Sequence, residues 1–342
     1  MRTEVIDPIE DARWLELLQR APDAGVFHHP AWLRLLGDAY RYAMWAVCVR
    51  EDGRLVAGLP VASVASRLTG RRLVALPFSD VVEPVLGGGA PEVREQLLAA
   101  LDAERRRLGV PLEVHGDVPE LAGAVPGDRF LHQWVPLAAG TEAVLTRVDP
   151  SQRRHARRAR EKGVTARRRV DREAIEAFFA LHVRTRHRHG VPTQPKRFFR
   201  RFERLFADDL GFVLTGEHDG RVVAASVYLQ FNGVMTQKYN ASDPDRRDLR
   251  ANTLIVTEAL RLAREAGCHT FDFGRTELDN AGLRSYKRDF GARERQLTYT
   301  KVPVGPVGHS VRSVAGYQKA AIRRAPPAFG RLVGALLYRH FA

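Results

Sequence analysis

Two distant stretches of this chain read as the same hairpin. WAVCVREDGRLVAGLPVAS, from Trp45, and FVLTGEHDGRVVAASVYLQF, from Phe212, each place Asp-Gly between two apolar, strand-like runs, at Asp52-Gly53 and Asp219-Gly220. That arrangement is a strong hairpin signal. Each hairpin follows an amphipathic helical region, WLELLQRAPDAGVFHHPAWLRLL in the first half and AIEAFFALHVRTRHRHGVPTQPKRFFRRFERLF in the second. Each is followed, one strand later, by a helix that stops at a glycine and leads into a strand. The first runs from Arg94 to Gly109 and into VPLEV, the second from Asn252 to Gly267 and into CHTFDF. Glycine suits the residue past a helix because it takes the left-handed conformation without a Cβ clash. Repetition in one order at a nearly constant offset predicts two tandem copies of one mixed α/β unit, each a mixed sheet flanked by helices. The expected divisions are residues 1–145, residues 146–303 carrying the chemistry, and a basic helical tail over 304–342.

A chain of 342 residues suits two such cores. With 44% hydrophobic and 27% charged residues it reads as a folded, soluble protein. No apolar run approaches the ~20 residues that span a bilayer, and the polar, acidic start MRTEVIDPIEDARW lacks the plan of a secretory signal. Cys48 and Cys268 are isolated thiols in apolar contexts, which fits buried packing in a reducing cytoplasm. The net charge of +14 points to polyanionic partners such as RNA, nucleotide-linked substrates or anionic lipid headgroups.

Several segments are candidates for contact with such partners. Arg153 to Lys162 predicts a helix capped by Ser151, with Arg153, Arg157 and Arg160 on one side and Arg154 and Arg158 beside them. Only Glu161 offsets these charges locally, so a bound phosphate would relieve their repulsion. In the strand from Met235 to Ser242, alternation places Gln237, Tyr239 and Ala241 on one face, and Tyr239 and Asn240 are candidate substrate contacts or parts of an amphipathic strand. Asp272 and Arg275 flank Gly274 at the end of an apolar strand, where open α/β sheets place their sites. Asp272 can accept a proton or orient a nucleophile, or it can pair with Arg275 and hold the turn. His182, His187 and His189 have no ligand spacing and no nearby carboxylate or thiol, so no metal site is expected.

The hairpin, helix and strand unit resembles the GNAT acyltransferases, and its duplication resembles the FemAB-type proteins, which carry two such units. VFHHPAWLRLL, LVAGLPVA with RRLVALPFSD, SQRRHARRAREKGV and above all TFDFGRTELDNAGLRSYKRDFGARERQLTY carry the likeness, which covers most of the chain. The tail and short first domain look closest to FemAB-like proteins associated with exopolysaccharide and PEP-CTERM export loci. The resemblance implies an N-acyltransferase, expected in the cytoplasm; a place at the inner membrane face would follow from the basic tail, with Arg323, Arg324, Arg331 and Arg339, lying on anionic lipid. It would move an aminoacyl group from aminoacyl-tRNA onto an amine of a phosphorylated, peptidoglycan-type precursor. Acyl-CoA is the alternative donor, and either donor is a co-substrate, with no resident cofactor. DNA is not an expected partner. The likeness assigns Lys287, after Tyr286, to the family's functional lysine, whose cation would stabilise the oxyanion or the leaving oxygen. Leu249 stands where a CoA-gripping loop wants glycine, which weakens the CoA reading. A second class of function, a non-catalytic pair of such units on RNA or membrane, is carried by the Arg153–Lys162 helix and the basic tail.

Overall fold

A computed structural model describes residues 1–66, 69–88, 91–137, 141–304, 322 and 325–340. It is a mixed α/β protein whose chain forms two compact units. The first holds Met1–Phe130 and is rejoined by the chain from Gln296; the second holds Leu131–Arg295 and the helix near the C-terminus. The expected division at 145/146 falls instead inside a helix of the second unit, because the change of unit occurs within a strand.

In the first unit the order is β1 (Arg2–Ile6), α1 (Ala12–Arg20), α2 (Pro30–Tyr40), β2 (Ala43–Glu51), β3 (Arg54–Ser66), β4 (Gly70–Ala75), β5 (Val85–Leu86), α3 (Pro91–Leu108), β6 (Leu112–Val114) and the start of β7 (Val125–Pro136). The second continues from β7 through α4 (Thr141–Arg147), α5 (Pro150–Glu161), β8 (Thr165–Arg169), α6 (Arg172–His189), α7 (Lys196–Arg200), α8 (Phe202–Ala207), β9 (Gly211–His218), β10 (Arg221–Phe231) and β11 (Val234–Ser242). It then runs through α9 (Ala251–Glu265), β12 (Thr270–Glu277), α10 (Ala281–Asp289) and β13 (Arg293–Val302), and includes α11 (Pro327–Leu337).

The duplication is explicit. Strands of the first unit lie in the order β1-β2-β3-β4-β6-β13, and those of the second in the order β8-β9-β10-β11-β12-β7. In each, three antiparallel neighbours are followed by a parallel pair joined through a helix: β4 with β6 across α3, and β11 with β12 across α9. Both Asp-Gly turns hold two residues at positive φ, 48° and 80° in the first and 50° and 70° in the second, the twist that matches a tight hairpin. The helix-stopping Gly109 and Gly267 also sit at positive φ.

The second unit buries its sheet on both faces. On one, Leu254, Ile255, Ala259 and Leu260 of α9 and Ala156 and Ala159 of α5 pack on Phe212, Leu214, Tyr228, Met235 and Phe271. On the other, α6 and α7 bring Phe178 and Phe199 around Tyr239, with ring centroids 6.1 and 5.2 Å from it. The helix α5 is capped by Asp149, whose carboxylate accepts from the Ser151 N–H, and not by Ser151. Pro150 fits the first helical position, where no N–H is needed, and so the cap falls two residues earlier than expected.

At Gly220 an added Cβ would meet nothing within 4 Å, so Gly220→Ala tests backbone strain alone. It should lower stability by about 1–2 kcal/mol in urea unfolding. Gly282→Ala, in equally open space inside α10, should raise it by about 0.4–1 kcal/mol.

Candidate functional site

The site begins with a parting of strands. β11 and β12 pair at only three positions, Val234 with Thr270, Met235 with Phe271 and Thr236 with Asp272, although β11 runs on to Ser242 and β12 to Glu277. An opening past the last pair, at the carboxyl ends of adjacent parallel strands, is where open α/β sheets take ligands.

Backbone groups freed by the parting still need partners. Lys287 of α10 supplies them. Its ammonium, on a residue 4% exposed, donates to the carbonyls of Phe273 (2.9 Å), Arg275 (3.2 Å) and Gly274 (3.4 Å) and to Thr276 Oγ1 (2.7 Å). Thr276 in turn donates to Oε1 of the fully buried Gln133, 2.9 Å away. Gly274, at φ 64°, makes the bend these bonds hold. Lys287 thus sits behind the strand end, with its protons engaged by main chain and Thr276.

On the α9 side a chain of polar groups lines the opening. Gln237 donates to Tyr228 Oη (3.0 Å), Asn240 to Ser226 Oγ (2.8 Å) and Asn252 Oδ1 (2.6 Å), and Asn252 to Tyr286 Oη (2.9 Å). Burial pushes the Tyr286 hydroxyl up, against the opposing pull of hydrogen bonds from Thr253 and Asn252, so it remains a neutral donor at physiological pH. Tyr239 does not join this group. The β10–β11 register slips between Val227 and Tyr228, leaving Lys238 as an extra residue, so Gln237 and Asn240 share the α9 face while Tyr239 faces α6. The expectation that Gln237 and Tyr239 share a face fails for that reason. The Tyr239 hydroxyl instead accepts from Gln194 (3.2 Å), which also meets His182 Nε2 at 3.1 Å.

Asp272 lies on the α6 side, opposite Phe271 and Phe273. Its Oδ1 accepts from the Gly274 N–H (2.8 Å) and pairs with His132 Nε2 (2.8 Å), with the two side chains 14% and 15% exposed. His132 Nδ1 is buried and has no hydrogen-bond partner among the described residues. Such an atom calls for an explanation, and a proton-accepting role is one. His132 comes from β7, 140 residues away in the chain, and alternation with Trp134 on its strand was its only sequence signal. Arg275 is exposed, and its charge, with that of Arg186, opposes the upward push of burial on the Tyr338 hydroxyl.

Cations gather where α9 begins. Its N-cap residue, Arg250, is left-handed (φ 56°) and makes no side-chain cap, so the first N–H groups of the helix take no side-chain acceptor from it. Leu249, in the place where glycine was sought, is buried in the core. His155 of α5 is pushed down by burial and then by the charges of Arg250, Arg158 and Arg154. Arg153, Arg154, Arg158 and Arg250 make no ion pair among the described residues, while Arg157 meets Glu161 at 3.4 Å. Among the described residues no group of His, Cys, Asp or Glu could hold a metal ion.

Replacing Lys287 by Met would leave three carbonyls and the Thr276 hydroxyl without their donor, at roughly 1–3 kcal/mol per buried group. Lys287→Met should therefore lose at least about 3 kcal/mol in urea unfolding; unchanged stability would remove the ammonium from the strand's support. His182 gives a second test. Burial, the largest cause, and the charge of Arg186 push its pKa down to about 3, against the hydrogen bond with Gln194. An unfolded histidine titrates near ~6.5, so below that pH the unfolded chain binds the extra proton and stability falls as pH drops toward the folded value. Between about pH 7 and 5, His182→Gln should remove about 2 kcal/mol of the wild-type loss in stability.

Residues 150–288 match the family described as an acetyltransferase (GNAT) domain. FemX superposes with a TM-score of 0.67 at 13% identity, over 87% of this chain and 97% of its own. A tandem GNAT protein from the clavulanic acid biosynthesis pathway gives 0.55 at 15%, over 90% and 100%. L-PGS from Bacillus licheniformis gives 0.56 at 14%, over 94% and 98%. No curated protein matches the sequence. The stretch that matches the acetyltransferase (GNAT) domain thus lies within the second unit, and the chain as a whole shares its fold with FemX and with a tandem GNAT protein.

Proposed function

We propose that this chain moves an aminoacyl group from aminoacyl-tRNA to an amine of a phosphorylated cell-envelope precursor. The observation that carries the reading is the opening between β11 and β12, polar on both sides, in a unit whose α9 start is flanked by unpaired arginines. Acyl transfer to an amine needs a neutral nucleophile, a positioned carbonyl and donors for the developing oxyanion. Asn240 and Asn252 orient the carbonyl, and the neutral Tyr286 hydroxyl donates to the oxyanion. The amine nitrogen forms a bond to the carbonyl carbon, the ester C–O bond breaks, and the ribose oxygen leaves with a proton. His132 Nδ1 accepts the amine proton, and Asp272, bonded to Nε2, stabilises the imidazolium. Lys287 acts from behind, holding Phe273–Thr276 and adding positive charge without touching substrate.

Arg153, Arg154, Arg157 and Arg158 offer a longer basic face than one diphosphate requires, which favours a nucleic-acid donor. The uncapped start of α9 favours the second reading, an acyl-CoA whose diphosphate sits on those N–H groups.

Binding of charged tRNA, deacylated tRNA and acyl-CoAs across a salt series separates the two. A preference for charged over deacylated tRNA that survives high salt is the expected result; saturation by an acyl-CoA with no such preference would overturn it. With the donor so identified, His132→Gln should cut kcat/KM about 10²–10⁴-fold, with circular dichroism unchanged.

A further inference from the structure

We infer that α11 is a membrane-surface element that seats the protein on anionic phospholipid. Phe329, Leu332 and Leu336 lie three and four residues apart and so form one ridge along the helix. They are 45%, 59% and 61% exposed, among the most exposed large apolar residues described. An apolar ridge of this size left open to water marks an interaction surface.

The opposite side of α11 is fixed. Gly334 packs on the main chain of Thr193 so closely that a Cβ would fall 1.8 Å from the Thr193 oxygen. The Thr193 N–H donates to the Gly330 carbonyl (3.3 Å), and Arg186 of α6 donates to Tyr338 Oη (3.0 Å) just past the helix end. The ridge is therefore held outward by the helix's attachment to α6 and its following loop.

Charge selects the occupant. From Pro303 to Ala342 the sequence holds no Asp or Glu and six Arg or Lys, of which Arg331 and Arg339 are described and exposed. Arg323 and Arg324 lie outside the described residues. Arg331 and Lys196 line one cleft beside the helix. A short amphipathic helix of this kind lies in a lipid interface, its apolar side among the acyl chains and its cations at the headgroups. No described helix is long and apolar enough to cross a membrane. A second copy of the chain would bring two acid-free tails together and meet their repulsion, whereas an anionic bilayer satisfies both the ridge and the charge.

The test uses full-length protein without donor or acceptor, so its outcome is independent of the transfer reaction. Flotation is measured with phosphatidylcholine vesicles, with and without phosphatidylglycerol, for wild type and for Leu332→Glu/Leu336→Glu, with folding checked by circular dichroism. Wild type should float with the anionic vesicles, at least tenfold less with the neutral ones, and the double variant should lose at least tenfold of the anionic binding. Arg331→Gln/Arg339→Gln should weaken binding while the ridge stays intact. Absence of wild-type flotation, or equal flotation of the double variant, would overturn the proposal. So would light scattering that shows a wild-type dimer dispersed by the two glutamates, which would assign the ridge to self-association.

Discussion

The architecture of the second unit turns on how briefly β11 and β12 stay paired. Three paired positions are enough to align Thr236 with Asp272, and after them each strand must find other partners for its polar main chain. One buried ammonium meets that demand for three successive carbonyls of β12. A buried cation with so many oxygen ligands and a bend at Gly274 forms a rigid back wall. The groups on either side, Tyr286 and Asn252 in one direction and Asp272 with His132 in the other, take their positions from that wall.

The first unit repeats the same parting with a different outcome. β4 and β6 also pair at three positions, ending at Ala75 with Val114. Just beyond, Leu76 and Phe78 adopt positive φ, Ser79 accepts a hydrogen bond from Trp32 Nε1 at 2.9 Å, and its carbonyl meets His115 Nδ1 at 2.8 Å. His115 stacks on Tyr299 with ring centroids 4.2 Å apart. The place is filled by the unit's own side chains, bought with backbone strain at two bulky residues. The duplicated architecture therefore has one open copy and one closed copy.

Much of this was legible because it is local. The two Asp-Gly turns, the glycine helix stops and the order of strands and helices follow from short-range chemistry, and they were enough to expect a duplicated α/β unit. Tyr286 and Lys287 stood out by resemblance and Asp272 by its place at the end of an apolar strand, and all three lie at the parting of the strands. What the sequence withheld depends on distance or on register. Nothing in the neighbourhood of His132 announces a carboxylate 140 residues further on. The extra residue at Lys238 cannot be told from regular alternation, yet it decides that Asn240 is joined by Gln237 and not by Tyr239. The cap at Asp149 lies two residues before the expected Ser151 because the proline after it fits a helix start.

The change of unit within β7 bears on how such a protein can be taken apart. The strand that supplies His132 and Gln133 precedes every helix of the second unit, and β13, which follows α10, ends among the first unit's strands next to β6. Neither unit is a contiguous cassette in the gene. A coding fragment cut between the two repeats, at residue 146, would carry α5 through α10 and still lack the histidine and the glutamine that complete the back of the opening. Recombination that shuffles whole repeats would break the same connections, so the two copies are bound to be inherited together.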